Sequence, residues 1–280
     1  MRINGSTQLF GIIGHPVAHS LSPVMHNAAL AAMGINGVYI PMDVTDLAGG
    51  VTGLRALGFT GVSVTIPHKE EVMAYLDEID PVARRIGAVN TLHFRRHPET
   101  GDLVLRGFNT DWLGSNLALS EVMPLSGSRV LVLGAGGAAK GVCFGLVEAG
   151  AEVILTNRSQ ERGQDLANWL GCEFVPTEHI GNVQAHALVN TTSVGMEPDP
   201  DRLPIDPALL PRFNVVMDIV YAPLETRLLR EARAAGCHVV DGLAMLLNQA
   251  AVQLKIWTGS RPPLDVMRLA LTEALAGKQE

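Results

Sequence analysis

The stretch VLVLGAGGAAKGVCFGLVEAGAEVILTNRS, residues 130–159, sets the architecture of the chain. An apolar run meets a glycine-rich turn, an apolar segment at helical spacing follows, and a second apolar run, EVILT, ends on polar residues. That is strand, turn, helix and strand, a βαβ unit of a parallel sheet. Within it Gly134 suits the tight turn, Gly136 lets the backbone approach a pyrophosphate, and Ala139 fills the third slot, where the helix packs on the strand. Such a pattern is weak alone. Behind an apolar strand and at the head of a helix it is a dinucleotide-binding fingerprint.

The end of the second strand selects the dinucleotide. An NAD site usually carries Asp or Glu there to hold the ribose 2′-hydroxyl. This chain has Asn157, Arg158 and Ser159, with Arg162 one helical turn later. An acid would repel a 2′-phosphate, whereas guanidiniums and a hydroxyl bind it. Both arginines could equally be solvated residues of a helix start, but their place beside the adenosine site favours NADP.

On both sides the alternation continues. LFGIIG, GVYIPMDV and GVSVTIP read as strands, SPVMHNAALAAMG and DLAGGVTGLRALG as helices, with Ser22 as N-cap and Gly34 as stop of the first helix. After Pro67, HKEEVMAYLDE has a helical period. AVNTLHFRR and LVLRGFN flank the turn-rich HPETGD and read as a hairpin. DWLGSNLALSEV is a helix, and ALVNTTS, NVVMDIVY and CHVVDG supply further strands. The last 38 residues return to helices, LAMLLNQAAVQLKIW and PLDVMRLALTEAL, which no second sheet needs. The fold class is therefore α/β with two domains. A mostly parallel domain formed by residues 1–112 and 243–280 is expected beside a Rossmann-type domain of residues 113–242, with the C-terminal helices packing back on the first.

Composition narrows the function. Of 280 residues 47% are hydrophobic and 18% charged, and the net charge of −7 comes without a basic run, which argues against a nucleic-acid partner. Cys143, Cys172 and Cys237 are too scattered for a metal knuckle, and an odd count argues against a disulfide framework. No apolar stretch approaches the roughly 18 residues of a membrane span, and MRINGSTQLFGIIGHPV is too broken for a signal peptide. A cytoplasmic protein is expected, as monomer or homodimer, with a small-molecule partner.

Polar residues gather at the ends of the first half's strands. GHPVAHSLSP is a loop with two hydroxyls, Ser20 and Ser22, running into a helix N-terminus, which suits a carboxylate as well as it suits simple capping. His15, His19 and His26 lack carboxylate or cysteine partners at ligand spacing, so no metal is expected. Lys69 follows a strand, Asn90 interrupts an apolar one, and Asp111 in NTDW could be a helix-start acid. In open parallel sheets ligands lie at the carboxyl ends of strands. A Lys–Asp pair there suits reversible alcohol oxidation, one group relaying the hydroxyl proton and the other orienting it.

Eight segments in order, HSLSP, VTIPHKEE, GAVNTL, NTDW, VLGAGGAA, TNRS with Arg162, NTTSVGM and DGLAMLLNQA, resemble the shikimate dehydrogenase family over essentially the whole chain. The resemblance implies an NADP-dependent oxidoreductase that interconverts shikimate and 3-dehydroshikimate in chorismate and aromatic amino-acid biosynthesis. It implies Lys69 as the proton-transfer residue with Asp111 as its partner, and Ser20 and Ser22 on the substrate carboxylate. By the same resemblance Thr65, Asn90, Tyr221 and Gln249 hold the ring hydroxyls and carboxylate. Gly134, Ala135, Gly136, Gly137 and Ala138, then Asn157, Arg158, Ser159 and Arg162, and finally Ile219 and Gly242, fall on cofactor contacts. Two rivals share the fold. A degradative quinate/shikimate dehydrogenase would favour NAD and alter the serine pair, and a non-catalytic metabolite sensor would lose the Lys–Asp pair.

Overall fold

Residues 3–276 are described by a computed structural model. The chain forms two compact units, one made by the chain up to Thr110 with the part from Ala250 onward, the other by Asp111–Gln249.

In the first unit the strands are β1 (Gln8–Gly14), β2 (Gly37–Asp43), β3 (Phe59–Val64), β4 (Glu78–Ile79), β5 (Thr91–Arg96) and β6 (Leu103–Phe108). They form one sheet in the order β2-β1-β3-β5-β6-β4. β1 pairs parallel with β2 and β3, while β5 runs antiparallel to both β3 and β6. Helices α1 (Ser22–Ala32), α2 (Leu47–Ala56) and α3 (Pro81–Ile86) connect them. Each has a local cause. Gly34 sits just past α1 with φ +68°, and Asp46 and Asp80 cap α2 and α3 by accepting from Gly49 N and Val82 N, both at 3.0 Å.

Two expectations need correction here. Ser22 is not an N-cap: the buried Leu21 already has helical dihedrals, and Ser20 Oγ accepts from Ser22 N at 3.2 Å. The helix expected after Pro67 shrinks to a 3₁₀ turn at Glu71–Tyr75. Leu76 is extended, and Asp77 is held to the next strand, its N–H on Leu105 O and its carboxylate accepting from Leu105 N at 2.7 Å. Pairing with β6 wins over the helical period.

The second unit opens with α4 (Asp111–Ser120). Strands β7 (Arg129–Leu133), β8 (Glu152–Thr156), β9 (Glu173–Phe174), β10 (Ala187–Asn190), β11 (Val215–Asp218) and β12 (His238–Val240) build a sheet in the order β12-β11-β10-β7-β8-β9. All five pairings are parallel. The order reverses between β7 and β10, as in doubly wound dinucleotide folds. Helices α5 (Gly137–Glu148), α6 (Gln160–Leu170) and α7 (Arg227–Ala234) are the connections. Both faces of the sheet are covered: Val130, Val132, Val153 and Val189 pack with Val142 and Leu146 of α5, while Leu131, Leu188 and Val216 pack with Leu228 and Leu229 of α7. That is why these strands read as continuous apolar runs rather than alternating ones.

α8 (Gly242–Thr258) crosses the boundary between the units, and α9 (Leu264–Ala276) ends the described chain. From Ala250 onward the chain returns to the first unit. Trp257 Nε1 donates to Leu92 O at 2.9 Å, and its ring lies where a Cβ on Gly61 would be, 2.5 Å from the nearest atoms. α9 packs on α1. No described helix is long and apolar enough to cross a membrane.

Candidate active site

The strand order of the first sheet reverses at β1, and the ends of β1 and β3 are stitched together there. Thr65 N donates to Ile13 O at 2.9 Å and His15 N to Ile66 O at 3.0 Å. A Cβ on Gly14 would come within 2.4 Å of Thr65 Cγ2, so the glycine is what lets Thr65 sit at this end. Ser20 lies in the loop leaving β1, and Lys69 follows β3. The Lys69 backbone carbonyl accepts from Val89 N at 2.7 Å, and Val64 N donates to Asn90 O at 2.8 Å, so the Thr65–Lys69 segment is tied to the approach of β5. Because β5 is antiparallel to β3, its first residues lie at the carboxyl end of β3. The fold therefore brings Ser20, Thr65, Lys69 and Asn90 to one end of one sheet. His68, between them, fastens the loop with Nε2 at 2.7 Å from Val44 O.

Asn90 is 2% exposed and stands just before β5. Its Oδ1 accepts from Thr91 Oγ1 at 2.7 Å and from Thr110 N at 2.8 Å, and its Nδ2 donates to Thr110 Oγ1 at 2.9 Å. Asp111, the next residue, is 3% exposed and opens α4 as its first-turn acid. Tyr221 and Gln249 belong to the second unit. Tyr221 lies in the loop after β11, and Gln249 Nε2 bonds the α8 backbone at Leu246 O, 3.0 Å away. The three loop histidines play separate parts: His15 Nδ1 meets Asp43 at 2.7 Å, His19 is exposed, and His26 is buried and stacked on Tyr39. Among the described residues no group of three His, Cys, Asp or Glu side chains is placed to hold a metal ion.

The glycine-rich turn lies where the second sheet reverses. Gly134 has φ +114°, and a Cβ there would come within 2.7 Å of Thr191 Oγ1 at the end of β10. Both counts require glycine. A Cβ on Gly136, by contrast, would meet no protein atom within 4 Å. Packing does not demand that glycine, and the space above the N-terminus of α5 suits a pyrophosphate on its backbone N–H groups. Ala139 is fully buried, as helix–sheet packing requires. β8 ends at Thr156 with no acid after it. Asn157 Nδ2 fixes the turn by donating to Ser159 O at 2.8 Å, and Ser159 caps α6. Arg158 is exposed and makes no hydrogen bond or ion pair among the described residues, as a guanidinium kept for a phosphate would be. Gly242 has a packing reason of its own, since a Cβ there would sit 2.5 Å from Ile219 O and 2.6 Å from Val220 O.

Three family models match the chain in order: the shikimate dehydrogenase substrate binding domain at residues 12–92, shikimate / quinate 5-dehydrogenase at 116–196, and the shikimate 5′-dehydrogenase C-terminal domain at 242–272. A shikimate dehydrogenase (NADP(+)) of Symbiobacterium thermophilum is 48% identical over 98% of this chain and 97% of its own length. The chain belongs to the shikimate dehydrogenase family. A solved shikimate dehydrogenase in complex with NADP+ superposes with a TM-score of 0.89, at 39% identity over 98% of both chains. The Thermus thermophilus shikimate 5-dehydrogenase in complex with NADP(H) and shikimate gives 0.86 at 44% identity, over 96% of this chain and all of that one.

Sequence reasoning passed over several polar residues that shape this shikimate dehydrogenase fold from within. Asn190, Asp218 and Thr226 form a buried cluster at the ends of β10 and β11. Asp218 Oδ1 accepts from Asn190 Nδ2 at 3.0 Å and Val220 N at 3.1 Å, and Oδ2 accepts from Thr226 Oγ1 at 2.7 Å. The cluster holds the start of the loop that carries Ile219 and Tyr221. The signal was present, for an acid closing the apolar run VVMD and an amide closing ALVN are both costly unless paired. Thr191, whose hydroxyl donates to Leu133 O at 2.6 Å, pins β10 to the glycine turn.

Proposed function

We propose that this chain catalyses the reversible, NADP-dependent reduction of 3-dehydroshikimate to shikimate, an oxidoreductase step of chorismate and aromatic amino-acid biosynthesis. The observation that carries it is the gathering of Ser20, Thr65, Lys69 and Asn90 at one sheet end, in a chain 48% identical to a shikimate dehydrogenase (NADP(+)).

Lys69 is the proton-transfer group, taking the C3 hydroxyl proton in the oxidising direction and returning it to the C3 oxygen in the reducing one, with Asp111 as its orienting partner. Ser20 and Ser22 donate to the ring carboxylate, and Thr65, Asn90, Tyr221 and Gln249 position the ring. NADP(H), when bound, accepts or supplies the hydride. Gly134, Ala135, Gly136, Gly137 and Ala138 would hold its pyrophosphate, Asn157, Arg158, Ser159 and Arg162 its adenosine 2′-phosphate end, and Ile219 and Gly242 its nicotinamide side. Residues 1–112 and 243–280 are assigned to the substrate and 113–242 to the cofactor. A cytoplasmic location fits three free cysteines whose thiols burial raises, Cys172 to about 11.

The test is a steady-state assay of the purified protein with shikimate and quinate, each with NADP and NAD. The highest kcat/KM is expected for shikimate with NADP. Preference for quinate with NAD would move the chain to the degradative dehydrogenases, and binding without turnover in any combination would make it a sensor.

A further inference from the structure

We propose that Gln253 of α8 is a positioning residue that fixes the orientation of the Asn90 carboxamide for substrate, a role that rests on the reading of Asn90 as a substrate ligand. Gln253 is 1% exposed, and all its polar contacts lie within the first unit. Its Nε2 donates to Asn90 O at 3.1 Å and to Thr91 Oγ1 at 2.9 Å, and its Oε1 accepts from Ser63 Oγ at 2.8 Å. Ser63 Oγ in turn accepts from Tyr39 OH at 2.7 Å.

The direction of every bond in this chain follows from its two ends. A backbone carbonyl can only accept, so Gln253 must turn its amide nitrogen toward Asn90 O, and its oxygen then faces Ser63. Ser63 must donate to that oxygen, which leaves Tyr39 to donate to Ser63. On the other side Thr91 Oγ1 receives the Gln253 amide and therefore points its own proton at Asn90 Oδ1. At the far end Thr110 N, which can only donate, also meets Oδ1. Two backbone groups with no choice of role thus set the Asn90 amide, oxygen toward Thr91 and Thr110 N, nitrogen toward Thr110 Oγ1. A carboxamide has nearly the same shape in either orientation; Thr110 N biases its oxygen end and the relay adds Thr91 as a second donor, so without Gln253 the Asn90 oxygen is held from one side only. The residue is not needed to anchor α8 by itself, because Trp257, one turn on, bonds Leu92 O and fills the space over Gly61.

The experiment is a double-mutant cycle of Gln253→Met with Asn90→Ala, read as KM and kcat for shikimate and KM for NADP, with thermal unfolding followed in parallel. Gln253→Met keeps the volume and removes the relay. Alone it should raise the KM for shikimate about ten-fold, the worth of one buried hydrogen bond, and leave the KM for NADP unchanged. On the Asn90→Ala background it should add about two-fold or less, since residues acting through one another are not additive. Should Gln253→Met fail to fold, Thr91→Val breaks the same relay one step closer and should show the same coupling. Losses that multiply in the double variant, or a rise in both KM values, would overturn the positioning role while leaving Asn90 a ligand. An Asn90→Ala enzyme with an unchanged shikimate KM would overturn the reading of Asn90, and the proposal with it.

Discussion

Asn190 donates to Asp218 at 3.0 Å across adjacent parallel strands, where the two are register partners at the last rung of β10 and β11. With Thr226 and Val220 the carboxylate receives three donors, yet burial outweighs them and pushes its pKa up to about 6. Between roughly pH 4 and 6 the folded state therefore holds a proton that the unfolded chain has released, and stability falls as pH rises through that window. A rise of that size corresponds to about 3 kcal/mol at most. Asp218→Asn keeps an oxygen for Asn190 and Val220 and should remove this fall. Urea midpoints across pH 4–7 check it, and identical profiles for variant and wild type would refute it.

His26 acts in the opposite sense. Fully buried and stacked on Tyr39 at 4.2 Å, it has its pKa lowered to about 3 by desolvation, which the neighbouring Gln253 amide offsets only weakly. Neither ring nitrogen has a well-formed hydrogen bond among the described residues. Here the unfolded chain takes up the proton first, so stability is lost as pH falls from about 6.5 toward 3. His26→Phe keeps the stack and should flatten that loss. The difference in unfolding midpoint between variant and wild type should grow in the variant's favour from pH 7 to pH 5.

Lys69→Ala should fold normally and lose about 10²–10⁴ in kcat, the usual worth of a positioned acid–base group. Asp111→Asn should also be damaging while retaining substrate binding in part. Near-normal turnover in Lys69→Ala would remove Lys69 from the chemistry.

Ser20→Ala and Ser22→Ala should raise the KM for shikimate more than they lower kcat. On the proposed reading they hold the substrate carboxylate, which changes little along the reaction, so its binding is nearly uniform. Each charge-assisted bond is worth roughly 1.5–3 kcal/mol. Unchanged KM values would place the carboxylate elsewhere.

Arg158→Ala should weaken NADP about ten- to a hundred-fold and NAD far less, because only NADP carries the phosphate that a guanidinium meets with two parallel bonds. Comparing kcat/KM for both cofactors decides it. Equal losses would assign Arg158 to adenine stacking or to the fold.

How far these sites could be seen in advance depended on distance along the chain. The glycine turn and the strand-end position of Lys69 are local patterns, and both were legible. β4 and β9 are two residues each, too short for any periodicity to mark them. α7 hides its buried Leu228, Leu229 and Ala232 among charged residues, with the Thr226 cap as the available signal. The surroundings of Asn90 were not legible, since Thr110 lies 20 residues away and Gln253 163, and only the register of β5 on β6 and the return of α8 bring them in.

The bond from Ser63 to Gln253 joins positions 190 residues apart. A ribosome delivers the chain in one direction, so the unit that emerges first is the last to be completed. Until residues beyond Ala250 have been made, Ser63 and the carbonyls of Asn90 and Leu92 lack the bonds that Gln253 and Trp257 bring, and the surface over Gly61 is uncovered. The continuous 111–249 segment has no such wait and can close during synthesis. A chain truncated before α8 would thus expose nascent sheet surface of the kind chaperones bind, so losing the last helices acts on the first strands.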